Sequence, residues 1–186
     1  CGTGSYHNIG IGLCALRNLS TGMRNVAIGR CAGMYNNTGR DNVFLASSAG
    51  KLNTCGKFNV FIGQSSGSAN TTGGYNVFLG LAAGLANTTT SHSINIGTYA
   101  GRCNKNNQGI VIGCRAGERI CTNTSTDNIA IGRIALRGIS GEMDGTNCRN
   151  VAVGAYAGVY HTAGRHNVTL GFTAGRHNRG GDDNIA

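Results

Sequence analysis

Proline and tryptophan are absent from the 186 residues, and only seven residues are acidic. The lack of proline excludes a collagen-like triple helix and a stiff polyproline linker, although glycine is abundant at 32 residues. Charged residues make up 12% of the chain, about half the usual share. The carboxylates, Asp41, Glu118, Asp127, Glu142, Asp144, Asp182 and Asp183, are dispersed along it. That dispersal argues against an enzyme built on a β-helix, which needs acids grouped on adjacent coils. There is no run approaching the ~20 apolar residues of a membrane span, and no leader segment is visible. The chain opens on Cys1 and breaks off inside a repeat, so it reads as a segment of a longer protein.

What is present is repetition. The frame Asn-(Val/Ile)-x-(Ile/Leu/Val)-Gly starts near positions 8, 25, 42, 59, 76, 93, 109, 128, 150 and 167, and again at 184. The spacing is 17 residues, apart from 16, 19 and 22 in an irregular middle over 109–149. This repeat accounts for Gly63-Gln64-Ser65-Ser66-Gly67, which matches the Gly-x-Ser-x-Gly elbow of serine hydrolases. In other copies the columns of Ser65 and Ser66 hold Cys, Ala, Tyr, Arg or Ile. The match is therefore attributed to a repeated turn, and no catalytic residue, metal or cofactor is expected.

With the frame's first residue as position 0, position +1 is always Val or Ile and position +3 always Ile, Leu or Val. Alternating β-branched residues predict a short strand with +1 and +3 buried. Gly at +4 marks a corner, and Ala or Ser at +7 with Gly at +8 marks a tightly packed second segment. A turn such as Asn70-Thr71-Thr72-Gly73 closes the unit. Such a unit cannot bury its apolar face alone, but stacked copies can. The expected fold is all-β: a parallel β-solenoid, or β-roll, of about ten 17-residue coils forming one repetitive unit over 1–186. At ~4.8 Å per coil the rod would be roughly 50 Å long. Position +2 holds Phe44, Phe61 and Phe78 in three successive coils. A middle strand residue is expected to face outward, which makes these phenylalanines candidates for an interface between chains; a broader aromatic core is the alternative reading.

These columns resemble the repeats of bacteriophage tail fibres and bacterial surface adhesins. They are also similar to the heads of YadA-like trimeric autotransporter adhesins, with Asn25-Val26-Ala27-Ile28-Gly29 and Asn150-Val151-Ala152-Val153-Gly154 the nearest copies. The resemblance spans essentially the whole chain. It implies a left-handed β-roll, a homotrimeric fibre and an extracellular location on a virion or cell surface. The repeat here is longer than in those heads, and eight cysteines are present, which such fibres usually lack.

Cys14 and Cys31 share column +6 on consecutive coils, within disulfide reach by Cα spacing. Cys103 and Cys121 lie on neighbouring coils, and Cys121 and Cys148 flank the irregular middle. All five are disulfide candidates, with free buried thiols as the alternative. Asn36, Asn70 and Asn87 share column +11 and each opens an N-x-Ser/Thr sequon. They are candidate glycosylation sites, or else a stacked asparagine ladder. The net charge of +9 is spread without a basic run. It suits solvated turns or attraction to an anionic cell-surface glycan, and no nucleic-acid module is recognised. The expected role is the structural shaft of an extracellular fibre that positions a binding tip. A self-assembling filament subunit and a glycan-binding solenoid are the alternatives.

Overall fold

A computed structural model describes residues 5–103, 108–119, 126–138, 148–161, 164–178 and 181–186. Among the described residues there are ten three-residue strands: β1 (Ile9–Ile11), β2 (Val26–Ile28), β3 (Val43–Leu45), β4 (Val60–Ile62), β5 (Val77–Leu79), β6 (Ile94–Ile96), β7 (Ile110–Ile112), β8 (Ile129–Ile131), β9 (Val151–Val153) and β10 (Val168–Leu170). They form one sheet in sequence order, every pair parallel. The fold is the expected β-solenoid, one strand per coil. Register survives the irregular middle, where Ile110 pairs with Ile129 and Ile129 with Val151. The additional residues there fall largely in 120–125 and 139–147, outside the described residues.

Inter-coil hydrogen bonds continue beyond the strands. In the second segment Gly33 N donates to Ala49 O at 2.9 Å and Tyr35 N to Lys51 O at 2.9 Å. Each coil therefore docks on the next along most of its circumference, which satisfies backbone groups that a three-residue strand alone would leave unpaired.

The corner at +4 has no room for a side chain. Gly63 has φ 128°, and a Cβ there would lie 2.5 Å from the carbonyl oxygen of Gly80 in the next coil. Ala46 is the departure from this column and carries φ 102°.

The faces of the strand are the reverse of the sequence expectation. The middle residue points inward: Ala27, Phe44, Phe61, Phe78, Val111 and Ala130 are all fully buried within the single chain. Positions +1 and +3 point outward and are half-buried or exposed, with Ile28 at 40% and Ile62 at 38% in interior coils. The coil is too thin for two inward positions per strand. Phe44, Phe61 and Phe78 therefore build the core and are not available to face another chain. Their rings stack along the axis, with centroids 5.6 Å apart for Phe44 and Phe61 and 4.8 Å for Phe61 and Phe78. The opposing +8 column makes room for them, since a Cβ on Gly50 would lie 2.4 Å from the Phe44 ring. Burying each phenylalanine contributes roughly 2–3 kcal/mol.

Candidate functional surfaces

Two asparagine ladders run inside the coil. In the position-0 column, the backbone N and side-chain Nδ2 of Asn42 both donate to Oδ1 of Asn25, at 3.1 and 3.0 Å. The same Nδ2 donates to the Gly56 carbonyl at 2.8 Å. Asn59 and Asn76 repeat the arrangement on Asn42 and Asn59. Each amide thus holds the coil before it and the turn that closes its own coil. In the sequence this ladder shows only as the recurrence of asparagine at position 0.

The second ladder occupies column +11. Asn53 Nδ2 donates to Asn36 Oδ1 at 3.0 Å and Asn70 Nδ2 to Asn53 Oδ1 at 2.6 Å. Asn36, Asn70 and Asn87 are fully buried. The glycosylation expectation is therefore corrected: a glycan needs an exposed amide nitrogen, and these nitrogens face the interior. In the ninth coil, column +11 holds His161, which is also buried. Burial lowers its pKa, opposed by backbone hydrogen bonds involving Gly164 and Asn178.

The cysteine expectations divide. Cys14, Cys31 and Cys148 are free thiols. Cys14 and Cys31 have left-handed φ of 59° and 58°, so their Cα–Cβ bonds point the same way from stacked positions. Parallel vectors keep the Cβ atoms about as far apart as the coils, near ~4.8 Å, whereas a disulfide needs roughly 3.5–4.5 Å. Cys103 is disulfide-bonded, and Cys121 lies outside the described residues.

Among the described residues no helix follows Gly63–Gly67, which lie in the repeated turn after β4. Ser65 has left-handed φ of 57° within the repeated turn. Ser66 is buried and donates its hydroxyl to the Phe78 carbonyl at 2.9 Å. Among the described residues no group of three or more His, Cys, Asp or Glu side chains is placed to hold a metal.

Three outer surfaces remain. The strand face carries the +1 and +3 aliphatic columns. A ridge at position −1 carries Arg24 and Asp41, paired at 2.6 Å; their hydrogen bond lowers the Asp41 pKa and raises that of Arg24. The ridge continues as the stack Phe58, Tyr75 and His92, with centroids 4.9 and 5.0 Å apart. Tyr75, at the centre of the stack, is covered on both faces and turns its edge to solvent. Its ring therefore offers no open face on which a saccharide could stack. Beyond the +4 corner, the third surface is a turn face carrying columns +5, +6, +9 and +10. In coils 6–10 it groups arginines around Tyr99 and Tyr156. Within the described residues no helix is long and apolar enough to cross a membrane.

Comparison with the sequence profiles of known families, with characterised proteins and with solved structures gives no match for this chain. The functional reading rests on the geometry of these surfaces.

Proposed function

We propose that the chain is a structural rod, the shaft of an extracellular fibre of the virion or cell-surface kind, in which copies associate through the strand face. One observation carries this reading. Every +1 and +3 position from β1 to β10 is Val, Ile or Leu, yet the side chains point out of the coil. The neighbouring outward column +5 is under no such restriction and runs Leu13, Arg30, Ser47, Gln64, Leu81, Thr98. Strand propensity alone does not explain the contrast, because Thr fits a strand as well as Val does and never occupies +1 or +3. Two in-register aliphatic columns on one parallel sheet, roughly 45 Å long, form a strip that a chain in water keeps only if something covers it.

A second copy of the same strip is the natural cover, since in-register rods match one another along their whole length. The resemblance to trimeric adhesin heads implies three. The role is mechanical: the inner ladders and stacked coils hold a binding tip at a fixed distance from its surface, and no bond chemistry is required of the rod. Ile62→Lys puts a charge into the strip, whereas Gln64→Lys puts the same charge on the turn face two residues away. The reading predicts that Ile62→Lys lowers the solution mass to that of one chain with a retained β-type circular dichroism spectrum, and that Gln64→Lys leaves the assembly intact. Equal masses for both variants and the parent would overturn it.

A further inference from the structure

The turn face differs between the two halves of the rod. In coils 1–5 its outward columns hold three basic residues, Arg17, Arg30 and Lys51. In coils 6–10 the same columns hold six arginines, at 102, 115, 119, 133, 137 and 176, although the Nε of Arg137 is buried; the one acid, Glu118, is turned inward. These arginines are organised. The Arg133 guanidinium lies 4.6 Å from the centre of the Tyr156 ring, and Arg176 lies 5.9 Å from it. Arg102 and Arg115 each lie 5.9 Å from the centre of the Tyr99 ring. Both also reach the buried Glu118 carboxylate, at 3.7 and 3.5 Å. Their own side chains remain about half exposed, at 51% and 48%.

We propose that this arginine–tyrosine strip binds a linear acidic polysaccharide laid along the rod. The charge gives attraction to a polyanion, and its axial arrangement favours a chain-like one. Cation–π contact restrains the guanidinium groups while leaving their edges free. Less side-chain entropy is then lost when an anion docks. The planar fork of arginine pairs with carboxylate or sulfate through two hydrogen bonds. Single-stranded nucleic acid is disfavoured because its bases stack on open aromatic faces, and here arginines lie over the Tyr99 and Tyr156 rings. Successive coils repeat at ~4.8 Å, so Arg133 and Arg176, two coils apart, are about 10 Å apart along the axis. A polymer with regularly spaced acidic groups can engage several arginines at once, each further contact adding avidity. This inference does not depend on association through the strand face, which lies on the other side of the glycine corner.

The test uses the intact chain on immobilised dextran sulfate, alginate and neutral dextran, with poly(dT) as competitor. The proposal expects binding to dextran sulfate or alginate and none to neutral dextran. Sulfate against carboxylate preference follows from which of the two binds more tightly. Arg133→Glu with Arg176→Glu should weaken binding at least tenfold and flatten its salt dependence. Arg30→Glu with Lys51→Glu, the same charge change on the other half of the face, should stay within twofold. Arg133→Gln with Arg176→Gln gives a milder second variant and should fall between these results, with the circular dichroism spectrum unchanged throughout. Equal losses from the two reversal pairs would overturn the site in favour of diffuse attraction by net charge. Tighter binding of poly(dT) than of either acidic polysaccharide would overturn the ligand class, and absence of binding to both polysaccharides would overturn the proposal altogether.

Discussion

Coils 1–5 and coils 6–10 share one backbone plan and fill it differently. The first half has a core of Leu16, Ala27, Ala32, Phe44, Ala49, Phe61, Phe78 and Ala83. The second has Ala100, Val111, Ala116, Ala130, Ala135, Leu136, Ala152 and Ala157. Where column +2 is Phe, column +8 is Gly; in coil 8, where +2 is Ala130, +8 is Leu136. Coil 1 follows the second rule with Gly10 and Leu16. Coil 2 is small in both columns, with Ala27 and Gly33, and neighbouring coils fill its space: a Cβ on Gly33 would lie 2.6 Å from the Phe44 ring and 3.0 Å from Leu16. The volume is therefore shared between the two columns and across adjacent coils.

The boundary falls at coil 6. Its inward residue is Asn95, fully buried, with both amide atoms lacking a hydrogen-bond partner. It separates the two apolar clusters. The position-0 ladder changes at the same place: Ser93 replaces asparagine, Gly109 follows, and amide pairing resumes between Asn128 and Asn150. The first half is therefore the more uniform rod. The second departs from the 17-residue spacing and carries the arginine-rich surface.

The largest effect that can break this comparison comes from the core. Phe61→Ala leaves a cavity in the aromatic stack and should cost about 3–5 kcal/mol. Adding Gly67→Leu rebuilds the Ala–Leu arrangement of coil 8 and should recover part of that loss, read by denaturant midpoint. Recovery will be incomplete, because Gly67 has left-handed φ of 54°. Leu136 tolerates φ 45° in the equivalent place, but a side chain there costs roughly 1–2 kcal/mol. A smaller effect of opposite sign is expected at the junction. Asn95→Val replaces an unsatisfied buried amide with the residue type of its register partner Val111. It should join the two clusters and raise stability by about 1–3 kcal/mol.

The smallest effect concerns pH. His161 has a lowered folded-state pKa because it is buried. The unfolded chain thus binds a proton more readily than the folded one, and stability rises with pH across the window between the lowered value and the ordinary value near ~6.5. Above that window the histidine is neutral in both states and the contribution is level. As pH falls below ~6.5 stability is lost, until the folded-state value is passed. His161→Asn places the ladder's own residue in the column and should remove that part of the pH dependence, measured by thermal melts across the window.

Much of this architecture was legible in the sequence because the repeat is strict. The Gly at +4, replaced only by Ala46, and the β-branched columns point to coil, strand and parallel stacking. Facing was not legible, since period-two alternation says that +1 and +3 share a face without saying which one. Volume settled it: a three-residue strand flanked by an inward asparagine has one inward position left, and Phe61 fits there only because Gly67 lies opposite. Cys14 and Cys31 were misread for a related reason. Column spacing gives the Cα separation, whereas bond formation depends on the directions of the Cβ vectors. The arginine strip was missed because Arg102, Arg115, Arg133 and Arg176 are far apart in sequence and meet only across coils of unequal length.

The measurement that bears most directly on the account is the molar mass of the intact chain in solution, by light scattering at several concentrations with and without reductant. The account predicts three chains per particle in both conditions, because in the proposed fibre aliphatic strips rather than bonds between thiols would hold the copies together. A mass of one chain in both conditions would contradict it, since the strand face would then stand uncovered in water.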